Sequence, residues 1–347
     1  MTARNRVLRL AVAVATTATI GVLALIPTQA GARSTSPARV ASSDAPQLPG
    51  YSLTWKDDFN GAAGRGVEPG KWLYDLGTGY GCAQCPDQWG TAEIESMTSS
   101  TENVSLDGDG NLLITPVRQT DGSWTSGRIE TRKDGFTAGA DGLLRVQASI
   151  ELPQVGGGPE AAGIWPAFWM LGEPFRANGH TGWPGIGEID VMENINGRGT
   201  VFTTLHCGNL TDVNSNGLLG PCNEFNGIGG TTDVATSSLQ GSFHTYAVEL
   251  DRRVEPNQLR YSLDGTTFFT INASQVPAQT WTDAVDHGFF IILNVAVGGS
   301  FPWAECTFFP HAGGCNTPGA PYPQVVTADT MSGKPMKVAY VAVYNKK

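Results

Sequence analysis

The feature that most constrains this chain is the recurrence of short β-branched and aromatic segments between turn signals, with no sustained helical periodicity after Leu48. Leu112–Val117, Leu143–Leu152, Val201–His206, Thr245–Leu250, Leu259–Leu263, Thr267–Ile271, Phe289–Val297 and Lys337–Tyr344 all read as strands. Asp264-Gly265 stands between two of them at hairpin spacing, because a tight turn needs residues that tolerate positive φ. Gly supplies 44 of the 347 residues, well above the usual share of about 7 %. No low-complexity linker and no repeat divides the stretch 49–347, so one large all-β domain is expected there. Many short strands in one domain predict a two-sheet antiparallel β-sandwich of jelly-roll type, curved so that one face forms a cleft.

The first 48 residues read differently. Arg4, Arg6 and Arg9 precede an apolar run from Leu10 to Ile26, and the small residues Ala30-Gly31-Ala32 follow. A basic head, an apolar stretch and an A-x-A-like site predict a secretory signal over 1–32. The rival is a short membrane anchor, but the run is diluted by Thr16, Thr17 and Thr19 and is at the lower limit of a spanning helix. Residues 33–48, rich in Ser, Ala and Pro, read as a flexible leader. Cleavage after Ala32 removes three Arg and no acids, taking the charge from 22 − 32 = −10 to 19 − 32 = −13. An acidic protein of this kind is a poor partner for nucleic acid or an anionic membrane, and suits a neutral substrate.

Six cysteines fit an oxidising compartment: Cys82, Cys85, Cys207, Cys222, Cys306 and Cys315. Six allow 15 connectivities; nearest-neighbour pairing (82–85, 207–222, 306–315) closes three local loops. Zinc is the rival, since Cys82-x-x-Cys85 has ligand spacing and His206-Cys207 offers two more donors, although no second C-x-x-C accompanies them.

The most informative segment is Gly187-Glu188-Ile189-Asp190-Val191-Met192-Glu193-Asn194. On a strand, Glu188 and Asp190 share one face while Ile189 and Val191 share the other. Strict alternation would bury Glu193 and expose Met192; one extra residue, a bulge at Met192, returns Glu193 to the face of the other two acids. Three aligned carboxylates repel one another, so packing does not ask for them. Glycoside hydrolysis does: it needs one carboxylate nucleophile and a second carboxyl held protonated near neutral pH. Both glutamates are expected to face solvent.

The segment resembles the signature of glycoside hydrolase family 16, E-hydrophobic-D-x-x-E, in its bulged, laminarinase-like branch. Four further segments match the family in order: Trp55–Asn60, Gly163–Met170, Phe290–Gly299 and Met336–Tyr344. The resemblance implies a concanavalin-like jelly roll and a secreted, endo-acting, retaining β-1,3-glucanase. It makes Glu188 the nucleophile, Glu193 the general acid/base and Asp190 the assisting carboxylate. It further implies sugar contacts from Trp169, Trp183, His206 and Asn294, while Trp165 is expected in the core. The family's N-x-E-L-Q is here Thr91-Ala92-Glu93-Ile94-Glu95, and its G-G-x-W-P-G loop is Gly298-Gly299-Ser300-Phe301-Pro302-Trp303. Both departures touch the substrate wall, so an endo-hydrolase of a β-galactan or of mixed-linkage β-glucan is the alternative. A non-catalytic lectin is the remote one. Ala339 replaces the closing-strand Asp that partners Asp58 in calcium binding, so no cofactor and no catalytic metal are expected. The partner is a neutral polysaccharide and the protein is expected to be monomeric.

Overall fold

The computed structural model describes residues 44–304 and 325–347, all within one compact unit, Ala41–Lys347. The expected signal over 1–32, most of the leader over 33–48, and Cys306 and Cys315 lie outside the described residues. Residues 44–48 do not behave as a free leader. Ala45 is buried and donates its N–H to Asp58, and Tyr344 donates to the Pro46 carbonyl.

Two antiparallel sheets carry the fold. The first runs Thr266–Asn272, Gln258–Leu263, His244–Asp251, Leu143–Glu151, Met336–Lys346, Leu112–Ile114 and Val104–Leu106, with Ser52–Asp57 also on the Met336–Lys346 strand. The second runs Ile228–Asp233, Thr200–His206, Glu188–Glu193, Ile164–Gly172, Phe289–Val297, Arg128–Thr131 and Trp72–Tyr74. The sandwich expected from the strand pattern is therefore observed. One expected strand, Leu112–Val117, is divided instead: Pro116 cannot donate to a ladder, and the segments on either side of Thr115-Pro116 join different sheets. Val117–Arg118 enters a small third sheet, in which Glu95–Met97 and Trp124–Ser126 pair in parallel.

The core lies between the two large sheets. Val146, Ala148 and Ile150 from the first meet Phe168, Met170, Ile291, Leu293 and Val295 from the second. The central second-sheet strand Phe289–Val297 is buried along its whole length. Helix Ala278–Val285 closes one end with Trp281, Ala284 and Val285. Its Ala284 carbonyl lies so near Gly187 that a Cβ there would stand 2.0 Å from the oxygen, and Gly187 also has φ +74°. Only glycine admits this approach, and it sets the start of the strand that follows.

Candidate active site

That strand, Glu188–Glu193, carries a bulge, one residue before the position expected at Met192. Against the preceding strand, Ala167, Phe168 and Trp169 pair with Glu193, Met192 and Asp190, so Val191 is the extra residue. Against the next strand, Asp190 faces Thr204 and Glu193 faces Phe202. Ile189, Val191 and Met192 consequently all enter the core, and Glu188, Asp190 and Glu193 share the face turned away from the first sheet. The bulge settles a conflict that regular pleating would leave, by burying two consecutive apolar residues on one side.

The register then brings the other side chains to this face in three rows. Arg128, Asn294, Ala167, Glu193 and Phe202 lie in one, and Glu130, Ile292, Trp169, Asp190 and Thr204 in the next. Phe290, Leu171, Glu188 and His206 form the third. All four expected sugar-contact residues adjoin the three acids. Trp169 donates its indole N–H to Asn294 Oδ1 at 2.8 Å, and Trp183 hydrogen-bonds Glu188.

The expectation that both glutamates face solvent needs correction. Glu193 retains only 9 % exposure, and the Glu188 side chain 17 %. Burial is the largest influence on all three acids and raises each above its usual range. For Glu188, His206, Arg128 and the Trp183 bond oppose the rise. Glu193 is pushed up to about 7, opposed by the indole N–H of Trp165, which donates to its Oε1 at 2.9 Å. Asp190, flanked by the charges of Glu188 and Glu193, is raised well above the usual range. Three adjoining carboxyls in such a place do not carry three charges at neutral pH.

His206 supplies the counter-charge. Its Nε2 lies 3.4 Å from Asp190 Oδ2 and 3.9 Å from Glu188 Oε1, and its Nδ1 is 2.7 Å from Glu224 Oε2. Burial disfavours the imidazolium, but the Glu224 bond and the charges of Asp190, Glu188 and Glu224 outweigh it and hold the ring charged to about 10. Glu188, Asp190 and His206 bring donor atoms within 4.8 Å of one another and pair as an internal ion cluster. Lys56 and the Ala45 N–H meet the Asp58 carboxylate.

Four residues of this face escaped sequence reasoning. Trp165 is buried with Ile195 and Ala296, as expected of a core residue, but it also donates to Glu193 and packs edge-on against Phe301. Arg128, 5 % exposed, pairs with Asp75 at 2.9 Å and stacks 4.8 Å over Trp169. Glu224 anchors His206 from a distant loop, and Glu93 adds to the rise of Glu193. Glu95, where the family carries Gln, is fully buried and pushed well above its usual range by burial and by Glu93. The zinc alternative is overturned, because Cys82–Cys85 and Cys207–Cys222 are disulfides.

A two-sheet sandwich with three carboxyls along one face of a strand, beside tryptophans, carries the groups that glycoside hydrolysis requires. The crystal structure of an endo-1,3-beta-glucanase from Streptomyces sioyaensis matches at a TM-score of 0.76 and 48 % identity, over 88 % of this chain and 100 % of that one. This chain belongs to glycoside hydrolase family 16. The family profile described as "XgeA-like, catalytic GH16 domain" matches residues 149–237. Glucan endo-1,3-beta-glucosidase A1 of Niallia circulans is 31 % identical over 274 residues, which are 74 % of this chain and 35 % of that protein. A keratan-sulfate endo-1,4-beta-galactosidase of Sphingobacterium multivorum is 28 % identical over 73 % of this chain and 51 % of its own length. This chain thus spans about a third of the first of these two proteins and half of the second.

Proposed function

We propose that this protein is a secreted, endo-acting, retaining hydrolase of β-1,3-glucan, produced with a cleaved signal over 1–32 and acting as a monomer from the domain 49–347. The observation that carries the reading is the placement of the three acids on one face of the bulged strand, with His206 and Trp183 beside Glu188 and Trp165 on Glu193. Glu188 faces His206, Arg128 and the Trp183 indole, all of which favour its ionised form. Glu193, held to about 7 by burial, keeps a proton for transfer near neutral pH.

In the first step the Glu188 carboxylate attacks the anomeric carbon while Glu193 delivers its proton to the departing glycosidic oxygen. The aglycone half of the chain leaves and a glycosyl ester remains on Glu188. Glu193, now ionised, takes a proton from water, which attacks the same carbon and releases Glu188 with net retention. Asp190 lies beside Glu188 and, with His206, sets where the cluster's proton resides. Trp169, Trp183 and Asn294 wall the sugar sites, the indoles offering apolar faces to pyranose C–H groups.

Endo-1,3-beta-glucanase names recur among the relatives, including one that matches across its whole length. A β-galactan hydrolase is the second reading, favoured by the galactosidase relative together with the altered Thr91–Glu95 and Gly298–Trp303 walls. Product analysis on laminarin, lichenan and β-1,3-galactan, with Glu188→Gln beside the native protein, tests both. Oligosaccharides from laminarin that vanish in the variant support the proposal, whereas release from galactan alone moves the substrate. No release from any polymer by the folded native protein refutes hydrolysis of all three.

A further inference from the structure

The loop between strands Thr200–His206 and Ile228–Asp233 holds a buried acid that the proton-transfer scheme does not use. Glu224 has no exposed side-chain surface, yet both of its carboxylate oxygens are bonded. Oε2 accepts from His206 Nδ1 at 2.7 Å, and Oε1 accepts from the Cys207 N–H at 3.0 Å. Its backbone is pinned on both sides by Leu219, whose carbonyl accepts from the Glu224 N–H at 2.7 Å and whose N–H donates to the Glu224 carbonyl at 3.1 Å. The Cys207–Cys222 disulfide ties the residue after His206 to the residue two before Glu224. Acid and imidazole are therefore fixed to each other by a covalent clip, two backbone bonds and two side-chain bonds.

The arrangement makes His206 a bridge between two acidic walls. One ring nitrogen faces Glu224, and the other faces Asp190 and Glu188. A neutral imidazole has one N–H and could donate toward only one wall; the imidazolium can donate toward both. Glu224 is the partner that can fix this state without meeting substrate, because it stands behind the ring and is fully covered.

We propose that Glu224 is a positioning residue of the hydrolytic reaction: it holds His206 as an imidazolium with Nε2 turned toward Asp190 and Glu188. The inference rests on the assignment of Glu188 as nucleophile. The charged groups facing the ring are Glu188, Asp190 and, farther off, Glu193 from the bulged strand, and Glu224 from the loop; Arg128 acts on Glu188 from the opposite side. Without the Glu224 carboxylate the ring becomes a weaker cation and loses the contact that fixes its orientation, so Nε2 is no longer held toward Asp190 and Glu188.

Glu224→Gln is expected to lower kcat by about tenfold with KM little changed. Glu224→Asp recovers part of the loss. In a His206→Asn background, Glu224→Gln adds no further loss, because its route to the acids is already gone. An unchanged kcat with only thermal stability reduced would overturn the proposal, as would an equal further loss in the His206→Asn background. Should the variants fail to fold, 15N NMR of the native protein decides. His206 is expected to keep imidazolium shifts at pH 8, and a neutral tautomer at pH 7 would overturn the inference. The NMR result does not depend on turnover, so it stands even if the assigned reaction proves wrong.

Discussion

Replacing Glu193 by Gln should make the fold more stable while abolishing turnover. The unfolded chain ionises this acid near 4.5, and the folded protein only at about 7. The sign follows: as pH rises above 4.5 the unfolded chain releases the proton first, and folded-state stability is lost until the folded protein ionises too. At pH 5 the cost is under about 1 kcal/mol, and by pH 8 it reaches about 3 kcal/mol, from 1.36 kcal/mol per unit of separation. Gln is neutral at both pH values, and its amide oxygen can still accept the Trp165 N–H that now meets Glu193 Oε1. Relief of repulsion on Glu188 and Asp190 acts in the same direction. Urea denaturation of both proteins at pH 5 and pH 8 measures the difference. The variant is expected to gain roughly 2 kcal/mol on the native protein between the two conditions, while laminarin hydrolysis falls by orders of magnitude. Parallel stability of the two proteins from pH 5 to pH 8 would show that Glu193 is not held protonated by its burial.

Trp165→Phe keeps an aromatic ring beside Phe301 but removes the N–H that favours ionised Glu193. A hydrogen bond to a charged group is worth about 1.5–3 kcal/mol, so the basic limb of kcat against pH should move up by about one unit; an unmoved limb would deny the indole this role. Replacing Cys207 and Cys222 together by Ala opens a loop with a sequence separation of 15, for which chain entropy predicts a loss of about 3 kcal/mol. Thermal melts check the loss, and an unchanged melting temperature would contradict it.

The strands, the sandwich and the bulge were legible because each is written locally. Asp264 and Gly265 both take positive φ in the turn that joins Gln258–Leu263 to Thr266–Asn272, as the dipeptide implies. The acids were legible for the same reason: three charges in six residues of an apolar strand leave few readings. Trp165 was also within reach, since it shares strand parity with Trp169, and Ala167 between them faces Glu193. Its apolar surroundings favoured the core reading instead. Arg128 and Glu224 were not legible. Arg128 reaches the site only through the order Arg128, Asn294, Ala167 across three strands distant in sequence. Glu224 lies 18 residues beyond His206 in a loop whose closure depends on a disulfide.

The bulge explains why chemistry and stability are bound together in one strand. Val191 and Met192 fill the core side by side, and that pairing alone turns Glu193 toward Trp165. Regular pleating of all six residues would instead direct Glu193 at the inter-sheet core, where a carboxyl has no donor and an isolated charge costs far more than the site now bears. It would also turn Met192 out of the core. A folding defect and a catalytic defect would then arise from a single lost bulge, so neither the apolar nor the acidic half of this strand can change register alone. The surrounding core makes the acidic face tolerable. Phe168, Met170, Ile291 and Leu293 pack on the opposite side of the sheet from Asp190 and Glu193, and their burial, at about 1.5–3 kcal/mol for each large side chain, offsets the cost of holding the buried acids together.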